Sequence, residues 1–108
     1  MSGSISVQLK KGVLDLCVLA LLEQVDCYAY DIVKNLSGPI DMGEGTIYPL
    51  MRRMQNEEYV TSYLCESENG PSRKYYRITD KGRLYLSNQK KEWNVFVAAV
   101  GNILGEKS

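Results

Sequence analysis

Arg52 and Arg53, preceded by Thr46, Tyr48 and Pro49 in the stretch "GTIYPLMRRM", form the densest group of chemically capable side chains in the sequence. A guanidinium is a planar fork that can donate two parallel hydrogen bonds to a phosphate or to guanine O6 and N7. A tyrosine hydroxyl bonds a phosphate or its ring meets a thymine methyl group, and a threonine at a helix N-terminus helps to hold a phosphate. Histidine is absent, which removes the commonest general base, metal ligand and nucleophile partner. Glu57 with Glu58, and Glu66 with Glu68, come nearest to paired carboxylates, and both are more simply surface charge. The residue types point to binding rather than catalysis, with no cofactor and no metal.

A second basic group follows. Between Ser72 and Arg83 lie Arg73, Lys74, Arg77, Lys81 and Arg83 against Asp80 alone, a local excess in a chain whose 13 basic and 13 acidic residues cancel. With Tyr75 and Tyr76 interleaved, this pattern suits a strip that tracks a nucleic-acid backbone, because cations neutralise phosphates and release counterions. Each group also has a plainer reading. Arg52 and Arg53 can pair with Glu44, Glu57 or Glu58 on a solvated helix face, and a basic edge strand resists aggregation. The net charge of zero gives no general pull on polyanions, so any nucleic-acid function rests on these local groups.

The elements that must carry them can be read from patterning. The 108 residues, 44% hydrophobic, suffice for one modest core. Residues from about 8 to 24, dense in Leu, Val and Ala, predict a first helix covered on most sides. Lys10 and Lys11 before the apolar run imitate a signal peptide, but Asp15 interrupts it and no small-residue cleavage pattern follows. The run "LCVLALL" is far short of the roughly 20 residues that span a bilayer, so a soluble, cytoplasmic protein is expected. Cys17, Cys27 and Cys65 form no C-x-x-C pair, which favours free thiols over a disulfide framework or zinc ribbon; none is flanked by a basic cluster that would suit a redox sensor.

Next come a turn around Asp26 and Cys27, a short helix through Leu36 stopped by Gly38 and Pro39, and a brief strand over 40–42. Thr46 is expected to cap a third helix, with Pro49 in its first turn and Ile47, Leu50, Met51 and Met54 facing inward. "YVTSYLCE" and "RKYYRIT" read as a hairpin whose loop, "SENGPS", is longer than the tightest turns; Tyr76 and Ile78 should face the core. Thr79 then caps a last helix from about 80 to 104. The order predicts an α+β, mostly helical fold: a winged helix-turn-helix over 1–79 and a C-terminal dimerisation helix with a short tail over 80–108. In that architecture the third helix enters the major groove and the hairpin lies against adjacent backbone.

Trp93, Phe96, Val97, Val100, Ile103 and Leu104 recur at three- and four-residue spacing, an apolar stripe longer than a core of this size covers. A second copy of the chain, through a two-fold interface, is its natural cover. Two third helices related by that axis would meet successive major grooves about 34 Å apart, so a palindromic site is expected.

"GTIYPLMRRM", "RKYYRITDKG" and "YAYDIV" together resemble the PadR family of bacterial transcriptional regulators, in its compact form with a single C-terminal helix. The resemblance runs from about residue 9 to 100. It implies a winged-helix homodimer on a palindromic operator, usually a repressor released by a small molecule or stress signal. It places Thr46, Tyr48, Pro49, Arg52 and Arg53 on the recognition helix and Arg73, Lys74 and Arg77 on the wing. In similar multidrug-sensing members a tryptophan at the place of Trp93 pairs across the dimer axis around flat aromatic compounds. Two readings of Trp93 therefore stand, an interface anchor and part of an aromatic-effector site. The family commonly has glycines where this chain has Cys27 and Ala29, so the turn into the second helix is expected to differ. The rival to a DNA-binding repressor is a winged-helix module that binds a protein partner without DNA.

Overall fold

The computed structural model describes residues 12–106, so the expected start of the first helix at 8–11, with Lys10 and Lys11, lies outside the described residues. Helix α1 spans Leu14–Gln24 and is followed by strand β1, Cys27–Tyr28, and helix α2, Ala29–Ser37. Helix α3 spans Glu44–Asn56, strands β2 and β3 span Val60–Ser67 and Gly70–Ile78, and helix α4 spans Asp80–Ile103. The strands form an antiparallel sheet in the order β1-β3-β2. Its inner face meets the helices over one core, in which Val18, Leu19, Ile32, Ile47, Met51 and Met54 are fully buried. The architecture is α+β and that of a winged helix.

Ile47, Leu50, Met51 and Met54 all point into the core, as their spacing requires. The start of α3 differs from expectation. Gly43, with extended backbone, is its N-cap, and the Gly43 carbonyl accepts the Thr46 and Ile47 N–H groups at 3.1 and 3.0 Å. Thr46 is therefore inside the first turn and caps nothing, and Pro49 falls in the second turn. Its missing N–H would have bonded the Gly45 carbonyl, but Gly45 is exposed and water can take that role. Glu58, in the left-handed region at φ 68°, ends α3, so that the Tyr59 N–H reaches the Met54 carbonyl at 2.9 Å.

Two further expectations are corrected. The region 40–42 forms no strand; the third strand is instead Cys27–Tyr28, which pairs with Tyr76 and Tyr75 where a turn was anticipated. The hairpin is also tighter, because β2 and β3 continue to Ser67 and Gly70 and leave only Glu68 and Asn69 between them. An irregularity between Cys65 and Ser67 accommodates the stretch containing Pro71, which has no N–H to give to the ladder. Tyr76 and Ile78 face the core, as alternation predicted.

Thr79 does cap α4: its side chain accepts the Gly82 N–H at 2.9 Å while its hydroxyl donates to the Glu58 carbonyl at 2.7 Å. Gly82 and Leu86 are buried, so the first turns of α4 belong to the core rather than to a separate unit. Tyr85 stacks on Tyr59, with centroids 4.2 Å apart, and Glu23 of α1 faces Arg83 and Lys90 at 3.9 and 3.4 Å. Beyond Lys90 the helix leaves the core.

Candidate nucleic-acid interface

The exposed side of α3 carries two stripes. Tyr48, Arg52 and Gln55, spaced by four and three, lie toward the hairpin, where Gln55 Nε2 donates to Ser62 Oγ of β2 at 3.0 Å. Arg52 lies close enough to Tyr76 to oppose, by its charge, the rise in the Tyr76 pKa that burial causes. Thr46, Pro49 and Arg53 lie on the other flank and, with the buried Leu50, line a shallow groove against Gly12, Leu14 and Asp15 at the start of α1. There Arg53 Nη2 donates to Asp15 Oδ1 at 2.7 Å and Nη1 to Glu57 Oε1 at 3.3 Å. The Asp15 hydrogen bond is the main reason the Arg53 pKa is raised. The two adjacent arginines thus have opposite surroundings: Arg52 is exposed and in no ion pair found among the described residues, whereas Arg53 is held by two carboxylates. Pairing with Glu57 was anticipated in the plainer reading of this helix; Asp15, distant in sequence, was not.

Strand alternation divides the wing cations in the same manner. Lys74 is opposite Leu64 on the face of the sheet that carries Tyr76, with its ammonium 5.6 Å from the centre of the Tyr76 ring. Lys74 and Arg52 consequently approach Tyr76 from neighbouring elements. Arg73 and Arg77 project to the opposite face. Arg73 covers the Tyr28 ring at 4.8 Å and donates to the Tyr28 hydroxyl at 3.1 Å. Arg77 covers the Tyr63 ring at 5.1 Å, and its Nε donates to Asp26 Oδ2 at 3.1 Å. Tyr63 donates to the same carboxylate at 2.7 Å, which raises the Tyr63 pKa. Tyr28, Tyr75 and Tyr63 run across this outer face as a continuous aromatic tier.

The positive excess of the 72–83 segment is therefore smaller in space than along the chain. Asp26 lies against Arg77, Glu58 against Lys81 at 3.8 Å, and Glu23 against Arg83 at 3.9 Å. Lys74 and Arg73 are the cations of the strand for which the described residues show no ion pair. Sequence reasoning missed Asp15, Asp26 and Tyr28, whose roles appear only once α1, β1 and β3 are brought together.

The distal half of α4 is open. Phe96 is 62% exposed, Ile103 83% and Leu104 66%; Trp93 and Val97 are exposed as well, and Val100 is half-buried. Trp93 and Phe96, whose ring centroids are 6.5 Å apart, line an open groove of about 650 Å³ with Val97, Val100, Leu104 and Glu106, all from α4 and the residues just after it. Trp93 and Phe96 also border a smaller groove against Gly12, Val13 and Leu16 of the α1 region. Among the described residues no group of acidic, cysteine or histidine side chains could hold a metal ion, and no helix is long and apolar enough to cross a membrane.

Three helices with one face of the third exposed, a hairpin beside it, and cations on their shared side make up a winged helix-turn-helix. Residues 18–88 match the transcriptional regulator PadR-like family. The chain is similar to a PadR-like transcriptional regulator from Bacillus cereus at 40% identity, with a TM-score of 0.82 over 93% of this chain and 99% of that one. It is also similar to a PadR family transcription regulator from Clostridium difficile, at 34% identity and a TM-score of 0.75 over 86% of this chain and 98% of that one. A protein of Lysinibacillus sphaericus is 36% identical over 87 residues, 77% of this chain and 80% of its own length. The chain belongs to the PadR-like family of DNA-binding transcriptional regulators, which are not enzymes.

Proposed function

We propose that this protein is a cytoplasmic homodimeric repressor whose two α3 helices bind a palindromic operator. The observation that carries the reading is the placement of Tyr48, Arg52 and Lys74 on one side of α3 and the hairpin, where a duplex can reach all of them. Arg52 supplies a bidentate fork for a base edge or phosphate, Tyr48 a hydroxyl and ring face, and Lys74 a point charge for the flanking backbone. Thr46 and Pro49 shape the neighbouring flank, and Arg73 and Arg77 brace the outer face of the wing.

The dimer is supported by Trp93, Phe96, Val97, Val100, Ile103 and Leu104, an apolar stripe whose distal members are too exposed for a stable monomer surface. The two-fold axis sets the palindrome, with half-sites about 34 Å apart or a multiple of that spacing. The division of labour follows the fold: the winged region binds DNA, and α4 beyond Lys90 pairs the subunits. The groove beside Trp93 offers an indole face and apolar neighbours to a planar aromatic effector, which would release the operator by altering the α4 seam.

Anisotropy titration of a labelled duplex from upstream of the protein's own gene, across a salt series, tests DNA binding. The log of affinity should fall steeply and linearly with log salt. A flat salt response would favour the rival reading, a module that binds a protein partner through the same helix. The effector proposal is tested with a planar dye, for which quenching of Trp93, the chain's one tryptophan, is expected. Unchanged emission at saturating dye would leave Trp93 as an interface anchor alone.

A further inference from the structure

Arg53 is on the recognition helix, yet it is already occupied. Its guanidinium bonds Asp15 at 2.7 Å and Glu57 at 3.3 Å, and the Asp15 carboxylate, 17% exposed, is considerably more sheltered than the arginine, 49% exposed. Each carboxylate oxygen occupies a guanidinium nitrogen, Asp15 Oδ1 on Nη2 and Glu57 Oε1 on Nη1, that a DNA phosphate oxygen would otherwise accept from. Carboxylate and phosphate compete for one fork. Asp15 has an advantage in that competition, because it is held on α1, whose next turns bury Val18, Leu19 and Leu22 in the core.

We propose that Asp15 is a positioning residue that withholds Arg53 from the DNA backbone and ties the flank of α3 to α1. Resting on the DNA-binding reading above, it adds that of the two neighbouring arginines only Arg52 is free to engage the duplex. The geometry makes the tie specific. Thr46, Pro49, Leu50 and Arg53 form one flank of α3, and that flank faces Gly12, Leu14 and Asp15. Glu57, four residues on, restrains the same guanidinium from the C-terminal end of the helix. Arg52, one position away, is turned by about 100° around the helix and points toward Tyr76 and the wing instead.

The turn that precedes α1 also lies beside α4. Gly12 borders both the α3 groove and the groove that Trp93 and Phe96 form against Val13 and Leu16.

The test compares salt slopes for four proteins, wild type, Asp15→Asn, Arg53→Gln and the double variant, on one labelled duplex of mixed sequence. Slopes do not depend on the active fraction, so a partly unfolded variant still reports, and thermal melts run in parallel identify any general loss of folding. Asp15→Asn should steepen the slope by about 0.9 for each subunit engaged, the contribution of one newly neutralised phosphate. Arg53→Gln should leave the slope unchanged when Asp15 is intact but abolish the gain when Asp15 is replaced. A merely structural ion pair would lower the melting temperature in both single variants without this non-additive slope. An unchanged slope in Asp15→Asn, or a slope reduced by Arg53→Gln alone, overturns the proposal while leaving DNA binding intact. Salt-independent binding by the wild type overturns the DNA-binding reading and this inference together.

Discussion

Replacing Arg52 and Lys74 with glutamine should weaken DNA binding in a way that replacing Arg73 and Arg77 does not, although all four are exposed cations of the same winged region. Arg52 and Lys74 approach Tyr76 from α3 and β3 and share the side a duplex would occupy. Arg73 and Arg77 lie over Tyr28 and Tyr63 on the opposite face, and Arg77 is also bonded to Asp26. Two phosphates lost in each of two subunits flatten the slope of log affinity against log salt by about 3.6, at about 0.9 per phosphate. Across a fourfold rise in salt that difference amounts to roughly 150-fold in affinity. The Arg73→Gln, Arg77→Gln pair should keep the wild-type slope within about one unit. It should instead lose roughly 0.5–1 kcal/mol of stability per exposed cation–aromatic contact, less whatever solvent screening removes. Fluorescence anisotropy at several salt concentrations measures the first quantity and urea denaturation the second. Equal flattening by both pairs, or a larger effect from Arg73 and Arg77, would refute the assignment of faces.

Gly82→Ala should destabilise the fold by about 2 kcal/mol or more, because the added methyl would strike the Tyr59 carbonyl and lie 2.8 Å from Ile78 Cγ1; a melting curve like that of the wild type would contradict the packing at the start of α4. Burial, with Asp31 and Asp26 nearby, pushes the Cys27 thiol from 9.0 up to about 11. An unfolded chain then ionises first, so stability should decline as pH rises from about 9 to 11, by up to ~2.7 kcal/mol from this group. Denaturation midpoints for wild type and Cys27→Ala across that range measure it, and equal declines would remove Cys27 as a source. Phe96→Asp with Ile103→Asp should convert the proposed dimer to a monomer in sedimentation while far-ultraviolet circular dichroism stays helical; an unchanged sedimentation coefficient would place the interface elsewhere.

What could be read in advance was whatever a local pattern dictates. Ile47, Leu50, Met51 and Met54 repeat with the helical period and are buried; Tyr76 and Ile78 alternate with exposed residues and face inward. Thr79 is a hydroxyl just before the last helix and caps it. What could not be read depends on partners distant along the chain. Strand β1 is only Cys27–Tyr28, too short to carry a period, and exists because β3 offers Tyr75 and Tyr76 as pairing positions. The start of α3 at Glu44 was hidden because Gly43 caps through its backbone, without a side-chain hydrogen bond, whereas Thr46 has the usual capping chemistry but lies inside the turn. Charge was misread for a similar reason. The basic run on β3 and the start of α4 is partly offset by Asp26, Glu23 and Glu58, and Arg53 by Asp15, acids that sequence proximity does not bring to mind.

The most direct test is to mix the purified protein with sheared genomic DNA, recover what it retains, and repeat the selection with the Arg52→Gln, Lys74→Gln variant. Wild-type protein should enrich one or a few fragments that share a two-fold symmetric sequence, and the variant should lose them. Retention of no fragment by the wild type, or the same fragments by both proteins, would contradict a DNA-reading surface made by α3 and the inner side of the wing.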